Sequence, residues 1–201
     1  VYRLAHESGK AFFLSRPRRF GKSLLVSTMQ SYFEGRKELF EGLEVASLES
    51  DWTSYPVFRI DLSIIKTKSV DELRAGLSEV LQRLERRFGA DGATTLGGRL
   101  HSLIEHAHEQ SGRRVVVLVD EYDAPLLNVI DDPHLLEPVR EVMREFFMPL
   151  KACDEHLRFV FLTGITKFSQ LSIFSELNNL RDISMEPAYA ALCGITQDEL
   201  M

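Results

Sequence analysis

The chain has 201 residues, which is enough for one α/β domain with a sizeable core but hardly for two. Hydrophobic residues make up 44% and charged residues 27%, and the net charge of −6 excludes a domain that binds polyanions over its whole surface. The two cysteines, Cys153 and Cys193, form no CxxC pair, which excludes a zinc ribbon or a disulfide scaffold and favours a reducing, cytoplasmic compartment. The longest fully apolar run, residues 115–119, is far shorter than the roughly 20 residues that cross a bilayer, so no membrane partner is expected.

The first part of the chain alternates between strand-like and helix-like segments. Ala11–Ser15 is a short apolar run that ends at a turn, which predicts a strand. Residues 21–34 have apolar side chains at helical spacing and are followed by Gly35, which predicts a helix with one buried face. Residues 57–62 predict a second strand.

Three longer helices are predicted further along. Ser69, with Glu72 three residues later, has the pattern of a capping box that opens the first of them. The second follows a glycine-containing break at residues 89–92, and Asp132 with Pro133 opens the third. The predicted buried stripes are Val70, Leu73, Leu77, Val80, Leu81, Leu84 and Phe88; Leu96, Leu100, Leu103, Ile104 and Ala107; and Leu135, Val139, Val142, Met143, Phe146 and Leu150.

The remaining strands set the fold class. Residues 115–119 are apolar at every position, as in a strand buried on both faces of a parallel sheet. Residues 158–164 and 182–185 predict two more strands. Strands alternating with long helices predict a three-layer α/β/α sandwich with a mostly parallel sheet, in a single domain over residues 1–201. The capping-box pattern at residues 196–199 predicts a further helical segment beginning at about 196–201, so we expect the chain to be a fragment of a longer protein.

Residues 15–23, Ser-Arg-Pro-Arg-Arg-Phe-Gly-Lys-Ser, lie between a predicted strand and a predicted helix and have the pattern of a phosphate-binding loop. Backbone amides at a helix N-terminus bind anionic oxygens. Gly21 lets the backbone approach the phosphates, Lys22 reaches the β and γ oxygens, and Ser23 offers its hydroxyl to Mg²⁺. The predicted nucleotide-binding residues are Arg16, Pro17, Arg18, Arg19, Phe20, Gly21, Lys22, Ser23 and Leu24.

Arg16 departs from the general loop pattern, which has a glycine six residues before the lysine. A glycine there eases the tight turn that enters the loop, so its absence puts the loop conformation in question. The basic cluster of this loop predicts a triphosphate as the partner. Contact of Arg18 and Arg19 with DNA or with a neighbouring subunit is an alternative. Nucleic acid as a partner and oligomerisation are therefore both possible.

Two carboxylates, Asp120 and Glu121, end the apolar strand at residues 115–119. An acid at such a strand end holds Mg²⁺ opposite the serine of a phosphate loop, so Ser23 and Asp120 are the predicted metal ligands. Glu121 is predicted to orient or deprotonate the attacking water. Asp123 is interpreted as a turn residue, with a supporting contact to the metal site as the alternative.

About a hundred residues separate the loop from the acidic pair, which is typical of ATPases with an additional strand between the two strands concerned. The candidate for that strand is residues 159–162. Thr163 at its end is predicted to bond the γ-phosphate or the water, with a turn cap as the alternative. The predicted catalytic residues are therefore Lys22, Thr163 and Glu121, and Arg181 is a candidate for an arginine that completes the site.

Four separated segments and the closing residues resemble the AAA-ATPase-like family of bacterial proteins. The segments are FFLSRPRRFGKSL at 12–24, DEYD at 120–123, LTGITKFS at 162–169 and FSELNNLRDI at 174–183, followed by LCGITQDEL at 192–200. The resemblance covers nearly the whole chain and implies an ATPase domain of the additional-strand type that binds ATP and Mg²⁺. It also implies that a non-glycine residue is tolerated at Arg16. In this family a restriction-endonuclease-like nuclease domain commonly follows, outside the present sequence.

The predicted function is Mg-dependent ATP hydrolysis coupled to an attached C-terminal domain. The alternative is a nucleotide-dependent binding switch or scaffold that scarcely hydrolyses, including one that acts in nucleic-acid processing. The departure at Arg16 favours the alternative, and Glu121 argues against it. A GTPase is disfavoured because Ser169 occupies the position of the aspartate in the guanine-recognition motif.

Overall fold

The computed structural model describes residues 1–90, 92–166 and 180–193. Within these ranges the chain forms a five-stranded sheet in the order β2-β3-β4-β1-β5, with every neighbouring pair parallel. The strands are β1 (Ala11–Ser15), β2 (Val57–Asp61), β3 (Val115–Asp120), β4 (Leu157–Gly164) and β5 (Leu180–Asp182).

Helices precede, connect and follow these strands. They are α1 (Tyr2–Ala5), α2 (Lys22–Phe33), α3 (Glu44–Leu48), α4 (Val70–Phe88), α5 (Leu96–Ser111), α6 (Ala124–Leu127), α7 (Pro133–Phe147) and α8 (Pro149–Ala152), with short 3₁₀ turns at Lys37–Phe40, Asp154–His156 and Pro187–Tyr189. Two predicted helix starts are confirmed. The Ser69 side chain accepts a hydrogen bond from the Glu72 amide, and Asp132 accepts bonds from the first amides of α7.

The strands send alternate side chains into two separate cores. Phe13, Val117 and Leu162 face the core that is shared with α4, α5 and α7. Phe12 and Phe161 face the opposite core, which packs against α2. Because both faces of the sheet are covered, β3 is buried at every position, and the predicted three-layer α/β/α sandwich is confirmed.

β4 lies between β1 and β3, as the additional-strand interpretation requires. Ser15 pairs with Gly164, and Val119 pairs with Leu162. The carboxyl ends of all three strands therefore meet at one edge of the sheet, where ligands bind in open parallel sheets.

Two predicted boundaries are wrong. The strand expected at residues 182–185 ends at Asp182, because the Asp182 side chain accepts a bond from the Ser184 amide and starts a turn. The helix expected to continue through Leu150 is divided at Met148, since Pro149 has no amide hydrogen to continue the hydrogen bonding of the helix. Leu150 is nevertheless buried, in α8.

Both cysteines are free thiols. Cys153 is buried in the core, and this burial raises the pKa of its thiol to about 11. Among the helices that the structure describes, none has the length and apolar character needed to cross a bilayer. Several predicted features lie outside the described residues. They are the helix start at residues 196–199 and the motif residues 167–169 (which include Ser169), 174–179 and 194–200.

Candidate functional site

The edge formed by β1, β3 and β4 is joined by backbone hydrogen bonds beyond the strands themselves. The Arg16 amide donates to the Gly164 carbonyl (3.2 Å), and the Tyr122 amide donates to the Thr163 carbonyl (2.9 Å). The predicted phosphate loop and the predicted acidic pair are thus each attached to the end of β4. The additional strand brings together the two halves of the candidate site.

The loop between β1 and α2 exposes its backbone to solvent. Residues 17–21 are exposed, and the loop ends at Gly21, the N-cap of α2. Arg19 has φ of 66° and Gly21 has φ of 81°, both in the left-handed region. A Cβ on Gly21 would contact nothing within 4 Å, so the backbone conformation alone favours glycine there. The exposed start of the twelve-residue α2 presents free amides of the kind that bind anions.

Lys22 is the buried member of this loop, with only 4% of its surface exposed. Its Nζ donates to the carbonyl oxygens of Arg16 (3.0 Å) and Pro17 (3.1 Å). An ammonium group has three donors, so the loop backbone holds the charge in place with two of them. Ser23 and Leu24 follow on α2 and are exposed.

Asp120 and Thr163 form a buried pair at the ends of adjacent strands. Asp120 is 1% exposed, and its Oδ1 accepts a bond from Thr163 Oγ1 at 2.6 Å. The same hydroxyl accepts a bond from the Glu121 amide at 3.2 Å. Because a hydroxyl has a single proton, Thr163 can donate to a ligand only by releasing Asp120. The threonine predicted as a sensor therefore orients the carboxylate of the predicted metal ligand.

Glu121 follows with φ of 51°, an uncommon conformation for a residue with a side chain. Its amide is fixed by Thr163, yet its half-buried carboxylate has no hydrogen bond or ion pair with any described residue. Strained backbone of this kind often occurs at functional sites. The geometry leaves this carboxylate free to contact a water.

The donor set at this edge fits Mg²⁺. The Thr163 bond engages one oxygen of Asp120 and leaves the other to a ligand, and Ser23 supplies a hydroxyl. Carboxylate and hydroxyl oxygens are hard donors, and Mg²⁺ commonly takes only one or two protein oxygens together with phosphates and water. The side chains of these two residues are of the donor type that such a site uses.

Asp123 lies in the turn between β3 and α6, as interpreted, but its side chain also has a role beyond that turn. Its side chain is fully buried and does not cap α6. Instead Asp123 Oδ2 accepts bonds from the Ile165 amide (2.9 Å) and from the amide and hydroxyl of Thr166 (both 2.7 Å). The Tyr122 hydroxyl donates to the Thr166 carbonyl, and a Cβ on Gly164 would lie 2.6 Å from the Tyr122 ring. Tyr122 and Asp123 therefore anchor the residues that follow β4.

Arg181 does not lie at this edge. It pairs in register with Phe12, three residues before the end of β1 and so about 10 Å from it along the strand. Its guanidinium binds Glu186 through two nitrogens and Glu7 through the third. This arginine therefore has a structural role in the described part of the chain.

A cleft of about 820 Å³ lies beside the predicted phosphate loop, within the size range of small-molecule sites. One wall comes from the loop and α2, and the other comes from the segment after β5. Its lining includes Val1, Arg19, Phe20, Gly21, Leu24, Leu25, Thr28, Ala191, Leu192 and Cys193. The predicted binding residues Phe20 and Leu24 thus face this cleft.

Comparison with known proteins agrees with this geometry. The model of the AAA-ATPase-like family, described as "Predicted AAA-ATPase", matches residues 1–174. A protein of Azotobacter chroococcum mcd 1, described as "Uncharacterized protein in vnfD 5'region", is 41% identical over 196 residues. That match covers 96% of this chain and 38% of the relative, so the chain spans well under half of the relative's length. Because the family model covers most of the chain, the predicted resemblance is confirmed, and the chain belongs to the AAA-ATPase-like family of predicted AAA-ATPases.

Proposed function

We propose that this chain binds Mg-ATP at the shared end of β1, β3 and β4 and hydrolyses it. The observation that carries the proposal is the convergence of the phosphate loop with the Asp120–Thr163 pair at one sheet edge. Membership of a family of predicted ATPases supports ATP as the nucleotide.

Binding of the triphosphate is assigned to the loop amides and to Lys22. Phosphate oxygens are charged acceptors and hold an ammonium more strongly than the neutral carbonyls of Arg16 and Pro17 do. The start of α2 adds amide donors and the favourable end of the helix dipole. The cleft lined by Phe20, Leu24 and Leu192 provides an apolar surface for the base.

Ser23 and Asp120 are assigned to the metal. These residues would hold Mg²⁺, and the ion would supply positive charge that stabilises the triphosphate. The Thr163 hydroxyl keeps one oxygen of Asp120 engaged and so fixes the direction of the other.

Glu121 is assigned to the attacking water. Its amide is fixed by the Thr163 hydroxyl, while its carboxylate has no partner among the described residues. A carboxylate held at this position can orient a water and accept its proton. The water attacks the γ-phosphorus, the bond to the β–γ bridging oxygen breaks, and ADP leaves with that oxygen.

The output of this hydrolysis is proposed to lie in an attached domain. The chain covers 38% of its Azotobacter relative, which leaves ample length there for other domains. We include a nuclease-like C-terminal domain, nucleic acid and further subunits among the proposed partners. The free thiols Cys153 and Cys193 support a reducing, cytoplasmic location.

A binding switch that does not hydrolyse ATP is the second candidate. The observation that favours it is the replacement of the usual loop glycine by Arg16, whose side chain extends away from the loop to the Ser184 carbonyl. Such a protein would use nucleotide binding alone to change an interaction.

The test combines two substitutions. Lys22→Ala is expected to weaken Mg-ATP binding severely, whereas Glu121→Gln is expected to bind ATP normally and to lower turnover by roughly 10²–10⁴-fold. Fluorescent-ATP titration and phosphate release measure the two effects, with circular dichroism to verify folding. Lys37→Ala, a change of an exposed lysine outside the site, is the control.

The outcomes separate the candidates. Unchanged affinity in a folded Lys22→Ala protein would refute the phosphate-loop assignment. Turnover that Glu121→Gln leaves unaltered would remove Glu121 from the mechanism. A wild-type protein that binds ATP but never hydrolyses it, even in its full-length form with its partners, would support the switch.

A further inference from the structure

Arg16 occupies the position of the first glycine in the general phosphate-loop pattern, but its backbone needs no glycine. Among the described residues, Arg19 and Glu121 are the non-glycine residues with positive φ, and Arg16 is not one of them. Its amide donates to the Gly164 carbonyl and so extends the pairing of β1 with β4 by one residue. The turn that enters the loop is therefore compatible with a side chain at this position.

The Arg16 side chain extends toward the segment that follows β5. Nη1 donates to the Ser184 carbonyl at 2.7 Å and to the Ser15 carbonyl at 3.0 Å, and Nη2 donates to the Tyr189 carbonyl at 3.1 Å. All three acceptors are backbone oxygens, and the guanidinium is partly buried among them. A planar group with five donors suits this bridging geometry, which a lysine ammonium cannot reproduce.

The segment held in this way forms one wall of the cleft beside the loop. It turns through Pro187–Tyr189 and continues to Leu192 and Cys193, which line the cleft opposite Phe20 and Leu24. The Leu192 amide donates to the Tyr189 carbonyl, the same oxygen that Arg16 binds. The Arg16 side chain thus contacts the segment that forms this wall. The Arg16 carbonyl accepts a bond from Lys22, on the side of the cleft where the phosphates are proposed to bind.

We propose that Arg16 is a positioning residue. It holds the wall of the cleft that contacts the base of the nucleotide, and it does not bind phosphate. This inference rests on the proposed ATP site. Arg16 orders the wall before the nucleotide binds. Without the Arg16 side chain, the wall must become ordered when ATP binds, and this makes the free energy of ATP binding less favourable. A triphosphate without a base does not contact the wall, so its affinity is independent of Arg16.

The experiment compares two ligands, Mg-ATP and inorganic Mg-tripolyphosphate, by calorimetric titration. Arg16→Ala is expected to weaken ATP binding about tenfold, as for the loss of charge-assisted hydrogen bonds, and to leave tripolyphosphate binding unchanged. Steady-state kinetics should show a higher KM for ATP with the same kcat. Arg16→Lys should behave like Arg16→Ala, because charge alone does not bridge the two carbonyls.

Hydrogen exchange reports on the wall directly, without any ligand. In Arg16→Ala the amides of residues 183–193 should exchange at least about tenfold faster than in the wild type, since the bonds to the Ser184 and Tyr189 carbonyls are lost. Arg86→Ala, which removes an exposed arginine from α4, is the control and should match the wild type.

The outcomes are distinct. Equal weakening of ATP and tripolyphosphate would make Arg16 a phosphate ligand and overturn the inference, and so would unchanged exchange at residues 183–193. A wild-type protein that binds neither ligand would refute the proposed function and the positioning role with it. If Arg16→Ala does not fold, Arg16→Lys decides the question by the same measurements.

Discussion

Asp120 and Asp123 are both buried carboxylates, three residues apart, but their hydrogen-bond partners give them different roles. Asp120 accepts a bond from one hydroxyl, which leaves its second oxygen for a ligand. Asp123 accepts three bonds on one oxygen, all from Ile165 and Thr166. The first arrangement suits a metal ligand. The second fixes the loop after β4 through Oδ2 and leaves Oδ1 of Asp123 buried without a partner among the described residues.

Asp123→Ala is expected to destabilise the fold by about 2–5 kcal/mol, because it leaves partly buried donors of Ile165 and Thr166 without an acceptor. Asp123→Asn should cost less, since its amide oxygen still accepts from the same donors. Denaturant unfolding measures both. The control Asp131→Ala, at an exposed position, should stay within about 0.5 kcal/mol of the wild type. If Asp123→Ala were no more costly than this control, the anchoring role would be wrong.

The local sequence could predict the positions of the candidate site but not the structural roles of Asp123 and Arg16. The spacing of Gly21, Lys22 and Ser23 is a local pattern, and so is an acid at the end of an apolar strand, which is why these positions could be named in advance. The partners of Asp123 lie more than forty residues further along the chain. The acceptors of the Arg16 side chain beyond its own neighbour lie 168 and 173 residues away. Such contacts depend on tertiary packing.

At the scale of elements, helices with strong periodicity and caps were predicted well. The apolar stripe of α4, its Ser69 cap and the glycine that ends it are all local signals. Short elements such as α1, α6 and α8 have four residues each, too few to show a period. The predicted position of β5 was too far along the chain, because apolar residues continue past Asp182. In the structure, a turn formed by the Asp182 side chain ends the strand there.

Ser69→Ala tests the contribution of a cap to α4. The Ser69 hydroxyl accepts from the Glu72 amide, while Glu72 in return accepts from the Lys68 amide. Loss of the hydroxyl should lower the free energy of unfolding by about 1 kcal/mol, the usual value for an N-cap. Chemical denaturation of Ser69→Ala against Ser50→Ala, an exposed serine between α3 and β2, isolates the cap. Equal stability of the two variants would show that α4 depends on packing alone.

At the scale of the whole molecule, the described ends of the chain are joined to each other and to the predicted phosphate loop. Glu7, just after α1, accepts bonds from the Tyr189 hydroxyl (2.7 Å) and from Arg181 (3.1 Å), which lie 182 and 174 residues further along the chain. The Tyr189 carbonyl in turn accepts from Arg16. The segment that lines the cleft is therefore held from two sides, by Arg16 and by Glu7.

This junction should make stability depend on pH through Glu7. The hydrogen bonds from Tyr189 and Arg181 favour the carboxylate form and hold the pKa of Glu7 below its ordinary value of 4.5. A group with a lowered pKa in the folded state stabilises the fold above its ordinary pKa. That stabilisation is lost as the pH falls through the lowered pKa.

Glu7→Gln removes the charge and keeps the shape of the side chain. We expect the wild type to have the higher Tm near neutral pH, and the difference to shrink as the pH falls below 4.5, because protonation then removes the same charge from the wild type. Thermal unfolding from about pH 7 to about pH 3 measures the effect, with Glu38→Gln at an exposed position as the control. A difference in Tm that stays constant over this range would mean that Glu7 acts by shape alone. Its charge would then have no part in joining α1 to the segment after β5.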